Sequence, residues 1–317
     1  MTGERSESSV WREEVTADGV RIYELDMRKV VTVFFQNIRV LALGTIGFTA
    51  FFIGLSFWFP NVYKSEMVLA PAGSDDASLL NSVSGQFGGL AKIAGLNLSS
   101  GLDRTVVAME ILRSRDFAHS FIQKHNIRAE LMAAVDWSEE VNQLEYDSDV
   151  YDVEHSRWIT KEGEKYEGGF SPEDIYDKYL DVVGVKQDRL TGLVVVSVEF
   201  LSPEHAKEWV GFLVEDLNAY TRNQDIAEFT NNILYLKDSL EKSSLAEINS
   251  IFYRLIEEET KKIMIASSRK EYVFKVIDSA VMPESPVRPK RILFAIVGLV
   301  FGVICSTIFI FSRKVVL

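Results

Sequence analysis

The stretch MPESPVRPKRILFAIVGLVFGVI, Met282–Ile304, sets three prolines and three basic residues directly against an unbroken apolar run. From Ile292 to Ser312 there is no charged residue, and about 20 such residues are needed to cross a bilayer core as a helix. A second uncharged run, Val40–Tyr63, lies between Arg39 and Lys64. A cleaved signal peptide does not fit it. Its apolar core is too long, it starts some 40 residues into the chain, and no small-residue cleavage site follows FWFP. The sequence therefore predicts two retained spans near its two ends.

Two spans place both termini on one side of a membrane and the long central loop on the other. A loop of that length is translocated largely regardless of its charge, so loop length favours cytoplasmic ends and an external centre. The division that follows is a cytoplasmic segment 1–39, a span at 40–60, an external domain 61–290, a second span at 291–312 and a tail 313–317. Between Lys64 and Arg291 there are 39 acidic against 26 basic residues, which excludes nucleic acid as a natural partner. The only cysteine, Cys305, lies inside the second span, so the external domain is predicted to fold without a disulfide.

Within the external domain, Lys64–Pro71 alternates and reads as a strand. The run NSVSGQFGGLAKIAGLNLSSG carries Gly85, Gly88, Gly89, Gly95 and Gly101 in a spacing that fits neither the dinucleotide fingerprint nor the phosphate-binding loop. It reads as a loop. Val106, Met109, Leu112, Phe117 and Phe121 mark a helical stretch over Leu102–His125. From Ala134 to Phe170 the chain is acidic and aperiodic, an exposed excursion. Asp147, Asp149 and Asp152 there lack the glycine and terminal glutamate of a calcium loop. Ser171-Pro172-Glu173-Asp174 and Ser202-Pro203-Glu204 both write a helix start, with a serine cap, proline in the first turn and acid at the positive end of the dipole. Gly192–Phe200, between them, is β-branched and apolar enough to be a central strand.

After Pro203 the only glycine or proline before Pro283 is Gly211, so a very long helical element is expected over 203–270. Ser244 and Glu247 have capping-box spacing, and the element is either one rod or a helical hairpin. Leu245, Ile248, Phe252 and Leu255 form an apolar stripe, with Ile263 returning to the same face, and are candidate contacts between subunits. Tyr272–Ala280 reads as a last strand. Paired with 64–71 and 192–200 it would make a mixed sheet at the base of the domain, giving an α+β fold with a protruding helix or hairpin.

Pro283, Pro286 and Pro289 recur every third residue, the period of a polyproline II helix, which predicts a stiff strut over 282–290. Gly298 and Gly302 form GxxxG in the second span, and Ala50 and Gly54 a small-xxx-small pair in the first, both patterns that let helices approach closely in a bilayer. Before the first span, Val20–Val40 is mixed apolar and basic, as an interfacial segment would be. The four histidines, His119, His125, His155 and His205, show no metal-ligand spacing, and no nucleophile motif stands out. No catalytic residue, cofactor or metal ligand is assigned, and the chain reads as a non-enzyme.

These features together, with YDVEHSRW, TGLVVVSVEFLSPEHAKEWV, LIEEETKKIMIASSRKEYVFKVIDSAVMPESPVRPKR and the GxxxG-bearing span, resemble the Wzz-type polysaccharide co-polymerases, the chain-length determinants. The resemblance covers nearly the whole chain, and Pro283, Pro286, Pro289, Gly298 and Gly302 match the family's motif. It implies a homo-oligomer in the bacterial inner membrane, with the central domain in the periplasm. It also implies control of the length of a surface polysaccharide, lipopolysaccharide O-antigen in the kinase-free type, without chemistry of its own. The implied partners are a separate membrane polymerase and membrane lipid, with the glycan chain or a lipid-linked intermediate as further candidates. Two other readings compete: a two-span receptor with an external ligand-binding domain, and a subunit of a polysaccharide exporter or kinase adaptor.

Overall fold

A computed structural model describes residues 11–15, 21–25, 37–72, 100–162, 164–242 and 246–316. The glycines Gly85–Gly95 and the cap residue Ser244, together with Leu245, lie outside the described residues. The backbone divides into two compact units, Met1–Pro60 with Arg288–Leu317, and Asn61–Val287.

In the first unit, β1 (Trp11–Val15) and β2 (Arg21–Leu25) pair antiparallel, with Trp11 opposite Leu25. The start of the segment read as interfacial is thus a strand. α1 (Ile38–Ser56) lies along the C-terminal helix Arg291–Val316, and both are long and apolar enough to cross a membrane. Leu43, Ile46, Phe51, Ile292 and Ile308 stay exposed, as lipid-facing side chains do.

The second unit opens with β3 (Tyr63–Pro71). The helical stretch expected over 102–125 is two helices, α2 (Ser100–Arg113) and α3 (Arg115–His125), because Ser114 is extended and its Oγ caps the amide of Phe117 at 3.2 Å. Asn126, at φ 52°, ends α3 in the left-handed region that asparagine tolerates. After α4 (Arg128–Ala133) the acidic excursion is exposed over much of its length, as expected, but it carries short strands that its aperiodic sequence does not reveal. It holds two small hairpins, β4 (Ala134–Ser138) with β5 (Gln143–Tyr146), and β6 (Tyr151–Asp152) with β7 (Arg157–Trp158). Trp158 gathers Tyr151, Phe170 and the Arg128 guanidinium around its ring. Strands of two to five residues carry too little periodicity to be read in sequence.

α5 (Pro172–Val182) starts with the full capping box, Ser171 and Asp174 each bonding the other's backbone amide. It leads to β8 (Val183–Gln187), a strand the sequence reading missed, and then β9 (Val194–Phe200). α6 (Pro203–Lys242), α7 (Ala246–Ser268) and β10 (Phe274–Asp278) complete the unit, with the C-terminal helix Arg291–Val316 as α8. The main sheet has the order β10-β3-β9-β8 and is antiparallel throughout, not mixed. Its inner strand β9 is buried along most of its length, with Val194, Val196 and Val198 fully enclosed. Around it pack Leu69, Tyr179 and the first turns of α6, where Ala206, Trp209, Val210, Leu213, Val214 and Leu217 all face the core.

Candidate functional site: the helical hairpin, its root and the paired spans

Every buried position of α6 falls between Pro203 and Asn218. The remaining turns, 219–242, leave the core and extend for about 36 Å at 1.5 Å per residue. They do not travel alone. Arg222 donates to the carbonyl of Arg269 at 3.1 Å, and the Lys262 ammonium sits 5.3 Å from the centre of the Phe229 ring. Pairs that step forward on one helix and back on the other define antiparallel packing, so the element is a hairpin of α6 and α7 rather than one rod.

The hairpin seam is apolar and periodic. Ile226, Phe229, Ile233, Leu236 and Leu240 on α6 are partly covered at spacings of three and four, as are Phe252, Ile256, Glu259 and Ile263 on α7, where the line ends at buried Ala266. The stripe expected for subunit contacts divides accordingly. Phe252 turns into the seam, whereas Ile248 and Leu255 stay 38% and 40% exposed beside Ile251, and Leu245 is among the undescribed residues. Leu234, Tyr235 and Tyr253 are exposed as well, so apolar side chains remain on the outside of both helices.

The root of the hairpin is fixed by polar side chains that sequence reasoning did not single out. Asn218, 4% exposed, accepts the backbone amides of Tyr272, Val273 and Phe274 on Oδ1 at 2.8–3.1 Å and donates from Nδ2 to the carbonyl of Phe274 at 3.0 Å. It was detectable as an amide falling on the core face of the Val210, Leu213, Val214, Leu217 pattern. One layer outward, Asp225 accepts from Arg104 at 2.5 Å and from the Tyr272 hydroxyl at 2.6 Å. Burial opposes the Arg104 charge, yet its bonds to Tyr272 and the Asp225 carboxylate hold its pKa above the usual value. Tyr272 is pushed up by burial and by the neighbouring Asp225. This cluster ties α2 to the hairpin and to the strand that leaves it. Deeper still, Asp216 receives Lys124 and His125 from the end of α3, with the His125 ring stacked 4.4 Å from Phe212.

The proline segment is not a straight rod. It bends at Glu284 and Ser285, and the Arg288–Pro289 peptide is cis. Its first half is strapped to the beginning of β3: Ser65 Oγ donates to the carbonyl of Val281, and the Val287 amide to the carbonyl of Val62, both at 2.8 Å. Pro283 is partly covered along this strap while Pro286 is exposed, so the three rings do not share one environment.

Between the spans, GxxxG faces α1. A Cβ on Gly302 would stand 2.8 Å from Thr45 Cα, and one on Gly298 3.0 Å from Thr49 Cα, so only hydrogen fits at either position. Thr45 and Thr49 return their hydroxyls to carbonyls four residues back, leaving a smooth surface. The small pair expected on the first span is elsewhere: Gly54 has open space beside it and Ala50 is exposed. The helices instead meet along Thr45, Thr49 and Gly44, the last of these against Ser306.

Two family models match the sequence. Residues 23–125 match the chain length determinant protein family, Wzz, and residues 244–315 match the G-rich domain on putative tyrosine kinase. Among solved structures, a full-length bacterial polysaccharide co-polymerase aligns over 92% of this chain and 98% of its own, at 10% identity and a TM-score of 0.39. A fragment of WzzB, polysaccharide co-polymerase from Salmonella Typhimurium, aligns over 72% and 100%, at 13% identity and a TM-score of 0.28. No curated protein matches the sequence. The first matched segment includes the first span and the second runs from α7 through the second span, so the chain is similar to chain length determinant proteins over residues 23–125 and to the G-rich domain over residues 244–315.

Proposed function

We propose that this protein sets the length of a surface polysaccharide, lipopolysaccharide O-antigen in our reading, as a homo-oligomeric scaffold in the bacterial inner membrane that serves a separate polymerase. Residues 61–287 would face the periplasm and both chain ends the cytoplasm. The observation that carries this reading is the hairpin with apolar residues on its outside. Ile248, Ile251 and Leu255 recur at spacings of three and four on α7 outside the seam, and Leu234, Tyr235 and Tyr253 lie along the same length. A projecting hairpin that keeps such residues in water gains by packing them against neighbouring copies, and apolar patches on different sides suit a closed ring of head-to-tail contacts. The Wzz match supports the polysaccharide assignment. In this scheme the chain performs no chemistry: it organises the polymerase and the growing glycan.

The test compares gel profiles of surface polysaccharide from cells with the gene, without it, and complemented. The expected outcome without it is polymer of undiminished total amount with no preferred length, restored on complementation. An unchanged profile would overturn the reading.

A further inference from the structure

The two helices of the hairpin meet in a seven-residue repeat. On α7 the partly covered line runs through Asn249, Phe252, Ile256, Glu259 and Ile263 to buried Ala266, and on α6 from Arg222 through Ile226, Phe229, Ile233 and Leu236 to Leu240. Alternating steps of three and four are those of a two-stranded coiled coil. Two positions are filled against that pattern. The Glu259 side chain is only 14% exposed, with Oε1 taken by Lys262 at 2.6 Å and Oε2 buried without a partner. Asn249, nearer the tip, buries its Oδ1 without a partner. An acceptor enclosed in this way loses its water and gains nothing in return, and a polar group at a seam position weakens the pair of helices.

The seam has little to offset that cost. Among the described residues no side chain from 219–242 or from 247–265 is buried, so the apolar contacts of the projecting part are half-covered ones. Arg222 with Arg269 and Phe229 with Lys262 keep one register, which sets Glu259 level with residues 229–233, midway along the seam. The root is built in the opposite way: Asn218 is enclosed and fully bonded, and Asp225 is tied to Arg104 and Tyr272. We infer that α6 and α7 beyond Asp225 form a separately opening unit, kept at low local stability by Glu259 and Asn249, which parts along its seam while the sheet and the buried turns of α6 stay folded. The outer hairpin is then the adjustable part of the molecule, and whatever packs on its outside stabilises its closed form. This opening is a property of one chain and stands apart from the polysaccharide reading.

Hydrogen exchange of the full chain in detergent, read peptide by peptide in a mass spectrometer, tests this. Amides of residues 226–240 and 249–263 should exchange roughly tenfold or more faster than those of 206–217, with the two helices matched in rate. Glu259→Leu and, separately, Asn249→Leu put an apolar side chain in place of the orphaned acceptor, and each should slow exchange about tenfold across both helices while leaving 206–217 unchanged. Glu259→Gln keeps a polar group in the seam and should exchange at nearly the wild-type rate. Slowing confined to the helix that carries the substitution would contradict opening as a unit. Equal protection of 206–217 and 226–240 in the wild type, or exchange that is unchanged or faster in both leucine variants, would overturn the inference. No polysaccharide is made in this assay, so its failure leaves length control standing.

Discussion

Asn218 supplies, from the side of a helix, what a neighbouring strand would otherwise give to the chain entering β10. Three amides converge on one carboxamide oxygen in a buried place. Asn218→Ala removes the acceptor and leaves buried donors without partners, at a cost of about 3 kcal/mol. Urea denaturation of the purified chain should show this loss, with the mutant's hairpin root opening first in hydrogen exchange. A second residue-scale consequence concerns acid. Asp152 is held below the ordinary 3.8 by the His155 amide and side chain, and Asp174 by the Ser171 hydroxyl and amide. Asp188 is lowered by the amides of Leu190 and Thr191, and Glu173 by Arg115. Each of these carboxylates has a lower pKa folded than unfolded, so its stabilisation is complete above the ordinary carboxylate range and disappears as pH falls through the lowered value. The unfolding midpoint should therefore be flat from neutral pH to about pH 5 and fall steeply below pH 4, as followed by tryptophan fluorescence. Tyr146 titrates at the other extreme: burial, with Glu130 and Tyr151 nearby, pushes its hydroxyl up to about 12.

At the scale of elements, what sequence reveals depends on the length over which a pattern repeats. The spans, β9 and the hairpin helices are legible because each sustains one composition or period over many residues. The divided helix at Ser114 was written in the serine itself, a cap placed inside an apolar period. β8 was hidden because Val183, Gly184, Val185, Lys186 and Gln187 follow a helix without a turn signal. Hairpin and rod have the same helical pattern, and only the pairing of Arg222 with Arg269 and of Phe229 with Lys262 separates them. The stripe at Ile248, Phe252 and Leu255 was read as one surface, but the seam takes Phe252 and leaves its neighbours outside. GxxxG was legible as a site of close approach, and its partner surface at Thr45 and Thr49 was not. Gly302→Leu puts a branched side chain where the backbone of Thr45 already lies. It should loosen the span pair by about 2 kcal/mol, seen as a lower thermal aggregation temperature in detergent with the far-ultraviolet helix signal intact.

For the whole molecule, the economy of the design lies in bringing the two ends of the second unit together. β3 begins just after the first span and β10 ends just before the proline segment, and the two are neighbours in one sheet. The bonds from Ser65 to Val281 and from Val287 to Val62 carry that pairing on past the sheet. Asn218, Asp225 and Arg222 then anchor the hairpin to the chain leading into β10, so the projecting part and the strapped end share one root. In the account proposed here, that connection lets contacts between hairpins determine how the molecules stand in an assembly, and the assembly determines polymer length. The most direct test is the polysaccharide profile of cells carrying Ile251→Asp with Leu255→Asp, at wild-type membrane levels, with particle mass measured on the same protein in detergent. The account predicts that the assembly falls to smaller particles and that polymer is still made but loses its preferred length. A wild-type length distribution from protein that no longer assembles would contradict it.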